Sequence, residues 1–137
     1  MADNVSILKQ GYDAFARGDV PFVLSLFDPQ IEWNEAEHFI YWNGAPVRGG
    51  QAIVNDVFAR LPKDFDGFRI EIKRIINGGD TLVVEARYKA TAKATGKPFD
   101  SQTVHVWDFN SSGKIVKFQQ YTDTFQAAQV TGITPKA

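Results

Sequence analysis

The chain has no cysteine, one methionine and two histidines among its 137 residues. Without cysteine, disulfides and thiolate metal sites are excluded. His38 and His105 are too few for a histidine-rich metal site, so neither a metal nor a cofactor is expected. Charge of one sign is scarce as well. The formal net charge is −1, which leaves no basic surplus to neutralise phosphates, and no nucleic-acid partner is expected. No apolar run approaches membrane-spanning length. The opening Met-Ala-Asp-Asn is polar, unlike the apolar core of a signal peptide. The expectation is a soluble, cytoplasmic protein that does not enter membranes. Aromatics, by contrast, are abundant, with three Trp, four Tyr and eleven Phe in a chain that is 44% hydrophobic. That composition excludes disorder. It fits one domain over 1–137, long enough for a core and too short for two ordinary domains.

The pattern opens on helices. Val5, Leu8, Tyr12, Phe15 and Ala16 recur at helical spacing and form one apolar stripe. Gly18 ends that helix. Asp19 is an N-cap candidate, with Pro21 close behind it. Phe22, Val23, Leu26 and Phe27 form the buried face of a second short helix. A strand is expected at Gln30–Glu35, with Ile31, Trp33 and Glu35 on one face. Ala36–Gly50 reads as a loop. Gln51–Leu61 reads as a third helix on the stripe Ile53, Val54, Val57 and Phe58, ended by Pro62 and Gly67.

From Phe68 the period changes to two, the spacing of half-buried strands. Phe68, Ile70 and Ile72 alternate with charged residues, and Leu82, Val84, Ala86 and Tyr88 form the inward set of the next strand. Turns fall at Asn77–Asp80, Ala94–Lys97 and Asn110–Gly113. Two more strands follow at Gln102–Phe109 and Lys114–Thr124, with Val116, Phe118, Gln120 and Thr122 on one face. Helices followed by meander strands make an α+β plan: a curved, mostly antiparallel sheet with three N-terminal helices packed on its concave face. Such a cone has one open end, where a small-molecule pocket would form.

The helix, Gly-Asp break, short helix, Asp-Pro and Trp-bearing strand resemble the opening of SnoaL-like and ketosteroid-isomerase-like proteins of the NTF2-like superfamily. The resemblance extends roughly from Val5 to Phe125 through Pro46-Val-Arg-Gly49, Gly79-Asp80-Thr-Leu-Val-Val, Thr95-Gly96-Lys97 and Gly113-Lys114-Ile115-Val116. It implies the cone fold but no single reaction. Glu35 falls where a ketosteroid isomerase holds its general-base aspartate. His105 falls where that enzyme holds its oxyanion-stabilising carboxylic acid. The isomerase's catalytic tyrosine falls at Gly11, with Tyr12 one position and about 100° around the helix from it. The acid/base aspartate of SnoaL-type cyclases falls at Gln120, which cannot take up a proton. The inward aspartate pair bridged by arginine that marks the epoxide-hydrolase branch is missing, because Arg87 alternates outward.

Two readings of each candidate stand on the residues alone. Glu35 either faces inward beside Trp33, where desolvation would make it a better base near neutral pH, or tips into the following loop and is solvated. His105, on one face with Thr103, Trp107 and Phe109, either donates to a developing enolate or is a satisfied core histidine. Tyr12, Phe15, Trp33, Phe58, Tyr88, Trp107, Phe118 and Gln120 are assigned to ligand binding, although each aromatic equally suits a core. Trp42 joins them if the loop carrying His38, Tyr41 and Trp42 closes as a lid; otherwise those rings only anchor the loop. The functional expectation is an isomerase, cyclase or dehydratase that removes a proton next to a carbonyl of a small apolar substrate. The alternative is a non-catalytic ligand-binding or dimerisation module. The outward sets Val104, Val106, Asp108 and Lys117, Gln119, Tyr121 suit a homodimer contact. Asp123 reads as a cap or an interface residue.

Overall fold

A computed structural model describes residues 3–137. Helix α1 (Asn4–Ala16) begins where the Asp3 carboxylate accepts the Ser6 backbone N–H, one of the donors a helix start leaves unpaired. Asp19 caps α2 (Val20–Ser25) in the same way through Phe22. Strand β1 (Phe27–Asn34) follows at once, so Phe27 opens a strand instead of closing a helix.

The expected third helix is broken. It runs as α3 (Gly50–Ile53), widens into a π-helical turn over Val54–Phe58, and gives way to a separate α4 (Leu61–Asp64). Pro62 does not terminate it. Proline is tolerated in the first turn of α4, where its missing N–H has no helical partner anyway. Gly67 lies inside the next strand, where the pairing register slips between Asp66 and Arg69, and its φ of +64° suits that irregularity.

The sheet is six-stranded, in the order β2-β1-β6-β5-β4-β3. Its members beyond β1 are β2 (Val47–Arg48), β3 (Phe65–Gly78), β4 (Thr81–Ala92), β5 (Pro98–Phe109) and β6 (Ile115–Thr122). All neighbours are antiparallel except β1 and β6, which run parallel. The α+β class and the curved, mostly antiparallel sheet therefore stand as expected, with five α-helices and one π-helical turn among the described residues in place of three helices. The unexpected α5 (Thr124–Thr131) begins at Asp123, whose carboxylate accepts the Gln126 backbone N–H, and ends at Gly132 in the left-handed conformation. Asp123 is thus a cap.

Inward residues alternate without a break along β4 and β5. Ile31, Leu82, Val84, Phe99 and Phe118 are essentially inaccessible, each burial being worth about 1.5–3 kcal/mol. One parity assignment fails at a bulge. A slip between Asp108 and Phe109 turns Ile115 inward instead of Val116. Ile72 keeps its inward register opposite the buried Ala86 but is 38% exposed, because β3 is the edge strand. The slip that follows it, between Ile72 and Arg74, places Ile75, not Arg74, opposite the inward Val84. No described helix is long and apolar enough to cross a membrane.

Candidate functional site

The concave face of the sheet, α1 and the segment from Phe39 to Leu61 enclose a cavity of about 70 Å³. Its polar side chains are Glu35, Tyr12, Tyr41, Tyr88, His105 and Gln120, and the rest of the wall is apolar. Every residue that the sequence assigned to the site lines it except Trp42, the loop residue expected only if that loop closed as a lid. Trp42 packs its ring against His38, with centroids 4.9 Å apart, away from the cavity. In that loop Phe39 and Tyr41 turn inward instead. The loop has no period by which the sequence could have told Tyr41 from Trp42.

Glu35 is the first residue past β1. Because Ile31 and Trp33 are buried, the alternation carries Glu35 inward too, and it is 6% exposed. Its Oε2 accepts the Trp33 indole N–H at 3.2 Å. Its Oε1 is buried and has no partner, alone in this among the side-chain N and O atoms of the described residues. Burial lifts the carboxyl to about 7, with the Trp33 hydrogen bond and the Arg60 charge pulling weakly the other way. The Arg60 guanidinium stacks over the Tyr41 ring at 4.3 Å, and the Tyr41 hydroxyl donates to Asp64 at 2.8 Å. That pair ties the loop after Glu35 to α4.

Facing Glu35 across the cavity is a connected polar chain. The Trp107 indole N–H donates to the Tyr12 hydroxyl oxygen at 2.9 Å. Tyr12 Oη lies 2.7 Å from His105 Nδ1, and His105 Nε2 lies 2.6 Å from Tyr88 Oη. Gln120 Nε2 donates to Tyr88 Oη at 2.9 Å, while Gln120 Oε1 accepts the Ala36 backbone N–H at 3.1 Å. Both ring nitrogens of His105 are thus engaged within the protein. Its burial holds the imidazole neutral, with a pKa of about 3. Burial raises the Tyr12 and Tyr88 phenols far above their usual range, so both remain neutral hydroxyls. Tyr12 reaches this chain although it stands one position from the point where the resemblance puts a tyrosine. The phenol is long enough to cross from α1 to β5. Gly11 lines the cavity beside it, where a Cβ would come within 3.0 Å of Leu26.

The π-helical turn supplies Val57 and Phe58 to the opposite wall. Such turns widen a helix by one residue and recur at functional sites. A neutral, hydrogen-bonded sheet wall, an apolar helical wall and one partly satisfied carboxylate between them can move a proton at an otherwise apolar ligand.

A fold and a cavity of this kind define a class of small cone-shaped domains built around a ligand chamber. The chain matches the SnoaL-like domain over residues 8–118 and belongs to that family. It is similar to an NTF2-like protein from Burkholderia thailandensis E264, with 35% identity and a TM-score of 0.88, over 95% of this chain and 98% of that one. TerC co-crystallized with polyporic acid is 24% identical, with a TM-score of 0.84 over 96% and 99% of the two chains. A protein of ketosteroid isomerase-like fold from Catenulispora acidiphila DSM 44928, in complex with trimethylamine, is 20% identical. Its TM-score is 0.76 over 93% of this chain and 92% of that one. At those identities the last two share the fold. No curated protein matches the chain.

Proposed function

We propose that the protein is a cofactor-free enzyme that removes a proton next to the carbonyl of a small, largely apolar compound, with Glu35 as the base. The observation that carries this reading is the buried Glu35 Oε1, which lacks a partner in an apolar cavity. In the step, the α-carbon's C–H bond breaks and its proton passes to Glu35. The C–H electron pair becomes the enolate double bond, and the negative charge gathers on the substrate oxygen. A hydroxyl of the Tyr12–His105–Tyr88 chain meets that oxygen. His105 itself has no free N–H for it, so its role becomes that of a positioning residue and not a direct donor. A cavity of about 70 Å³ is well below the roughly 300–1,000 Å³ of sites for drug-sized ligands. A ligand of a few heavy atoms fits this conformation, and a larger one must displace a ring. That two relatives are described with small molecules bound supports a ligand chamber.

The test is exchange of the α-hydrogens of cyclopentanone in D2O, followed by NMR. Wild-type protein should accelerate it, and Glu35→Gln should lower the rate by about 100-fold or more. Equal rates in the two proteins would falsify the base. The small enclosed volume favours a second reading, a non-catalytic binding module, and binding of cyclopentanone without exchange establishes it.

The proposed assembly is a homodimer in the cytoplasm. Tyr121 is 56% exposed opposite the half-buried Val104 of the outer sheet face, and Phe125 of α5 is 73% exposed. Sedimentation at micromolar concentration should give twice the 15.3 kDa chain mass. Cell fractionation checks the compartment.

A further inference from the structure

The polar chain can be counted in protons. Its donors are the Trp107 indole N–H, the Gln120 amide N–H, the single N–H of a neutral His105 and the two tyrosine hydroxyls. Its internal contacts number four: Trp107 to Tyr12, Tyr12 to His105, His105 to Tyr88, and Gln120 to Tyr88. The end donors are fixed. An indole nitrogen only donates, and the Gln120 oxygen is engaged by the Ala36 N–H, which turns the amide nitrogen toward Tyr88. One tyrosine hydroxyl proton is therefore left without a place in the chain, and the histidine tautomer decides which. If Nδ1 carries the proton, Tyr12 accepts twice and its O–H is spare. If Nε2 carries it, the spare O–H belongs to Tyr88.

The surroundings choose between them. The orphaned acceptor of the cavity is Glu35 Oε1. The Gln120 amide spans from the backbone directly after Glu35 to the Tyr88 hydroxyl, so these two groups are neighbours across the cavity. The Glu35 charge bears on the Tyr88 phenol, and only burial outweighs it in raising that pKa. A spare O–H dipole is best placed facing that carboxylate. On the Tyr12 phenol the influences are burial and the Trp107 hydrogen bond, with no carboxylate among them.

We infer that His105 is protonated at Nε2 and that Tyr88 presents the spare hydroxyl to the ligand, Glu35 Oε1 and Tyr88 Oη being the acceptor and donor that recognise an enolisable carbonyl. This rests on the proposed base role of Glu35 but goes beyond it. Tyr88 makes the contact with the substrate oxygen. His105 and Tyr12 position it, because the Tyr12 hydroxyl occupies Nδ1 and so holds the imidazole in the required tautomer.

The tautomer is read directly from the side-chain nitrogen shifts and couplings of His105 in 15N-labelled wild-type protein. Protonated Nε2 is expected, and protonated Nδ1 overturns the assignment without touching the role of Glu35. The contact is read from the infrared carbonyl stretch of 13C-labelled cyclopentanone soaked into the protein. It should shift to lower frequency in wild type, shift less in Tyr12→Phe, where nothing holds the tautomer, and return toward its value in an apolar solvent in Tyr88→Phe. His105→Gln, which can still donate to one tyrosine and accept from the other, should keep the shift, and His105→Leu should weaken it. If Tyr12→Phe removes the shift and Tyr88→Phe does not, the donor is Tyr12 and the inference fails. The exchange rate of Glu35→Gln is an independent measurement, so either idea can fail alone.

Discussion

The two walls of the cavity are built by opposite rules. One is the sheet wall of β4, β5 and β6, where β4 and β5 alternate regularly and every polar side chain lining the cavity is bonded to another group. The other runs from Phe39 to Leu61 through a loop, a two-residue strand, a short helix and a π-helical turn. It is held by apolar packing, by the short pairing of β2 with β1 and by the Tyr41–Asp64 bond. Glu35 stands at the seam, where β1 ends and the irregular segment starts. On the proposed function the contrast separates two tasks: the sheet wall would fix donors in place, and the irregular wall would give way to admit a ligand without disturbing them.

Breaking the sheet wall should have the largest effect on stability. Trp107 is buried among Tyr12, Trp33, His105 and Phe118. Trp107→Ala should cost about 3–5 kcal/mol in urea unfolding, and a loss below 1 kcal/mol would mean that this wall is not the rigid one. On the opposite side Phe58 is only half-buried, against Phe15 and Trp33. Phe58→Ala should cost less, about 1–3 kcal/mol, while enlarging the set of ketones that bind. Titration with cycloalkanones of increasing ring size checks the second half, and an unchanged size limit would remove the irregular wall from ligand admission.

The contrast also has a pH signature. Glu35 titrates at about 7 when folded against 4.5 in the unfolded chain, so its burial contributes stability at low pH that is lost as pH rises toward 7. His105 titrates at about 3 against 6.5, so its contribution is present above 6.5 and is lost as pH falls toward 3. Between 4.5 and 6.5 the two slopes oppose each other, and unfolding free energy should be nearly flat there. Glu35→Gln leaves only the histidine slope, so stability should rise by about 1.4 kcal/mol per pH unit across that window. Denaturant midpoints measured at several pH values test this, and an equally flat variant would show that one of the two groups is not buried as described. The smallest effect belongs to the loop tie. Tyr41→Phe should cost about 0.5–1.5 kcal/mol and speed amide exchange in the segment 36–46, with no change in the strands.

The same division decides what could be read from the sequence. Along β4 and β5 no bulge interrupts the pairing between them, so a period of two placed Tyr88, His105 and Trp107 on the inner face without a structure. Glu35 followed from Ile31 and Trp33 by the same rule. Parity failed at Val116, a single bulged residue that leaves Phe118 and Gln120 inward but brings in Ile115 on the other side of it, and that has no mark in composition. The irregular wall was opaque because neither its loop nor its π-helical turn has a period to read, which hid Phe39 and Tyr41 and promoted Trp42. Helix α5 was missed because its apolar content is slight, although its cap, Asp123, was visible. The hydroxyl chain was out of reach for another reason. That Tyr12 would bond His105 depends on side-chain length across a helix–sheet gap, which neither alternation nor helical spacing encodes.

The parallel pairing of β1 with β6 joins segments far apart in the chain: Asn34 bonds the Phe118 carbonyl across 84 positions, and Gln120 reaches Ala36 across the same separation. Strands β3 to β6 are linked one to the next by antiparallel neighbours, but β1 must be brought home over that whole distance, and with it Glu35 and Trp33. When it docks, Trp33 lands 5.8 Å from Trp107 at 75° and 3.8 Å from Phe118. Two indoles held so close and so crossed should couple their electronic transitions. The near-ultraviolet circular dichroism of the protein would then carry an exciton signature that is silent until the carboxylate has arrived, an optical sign that the chamber is complete.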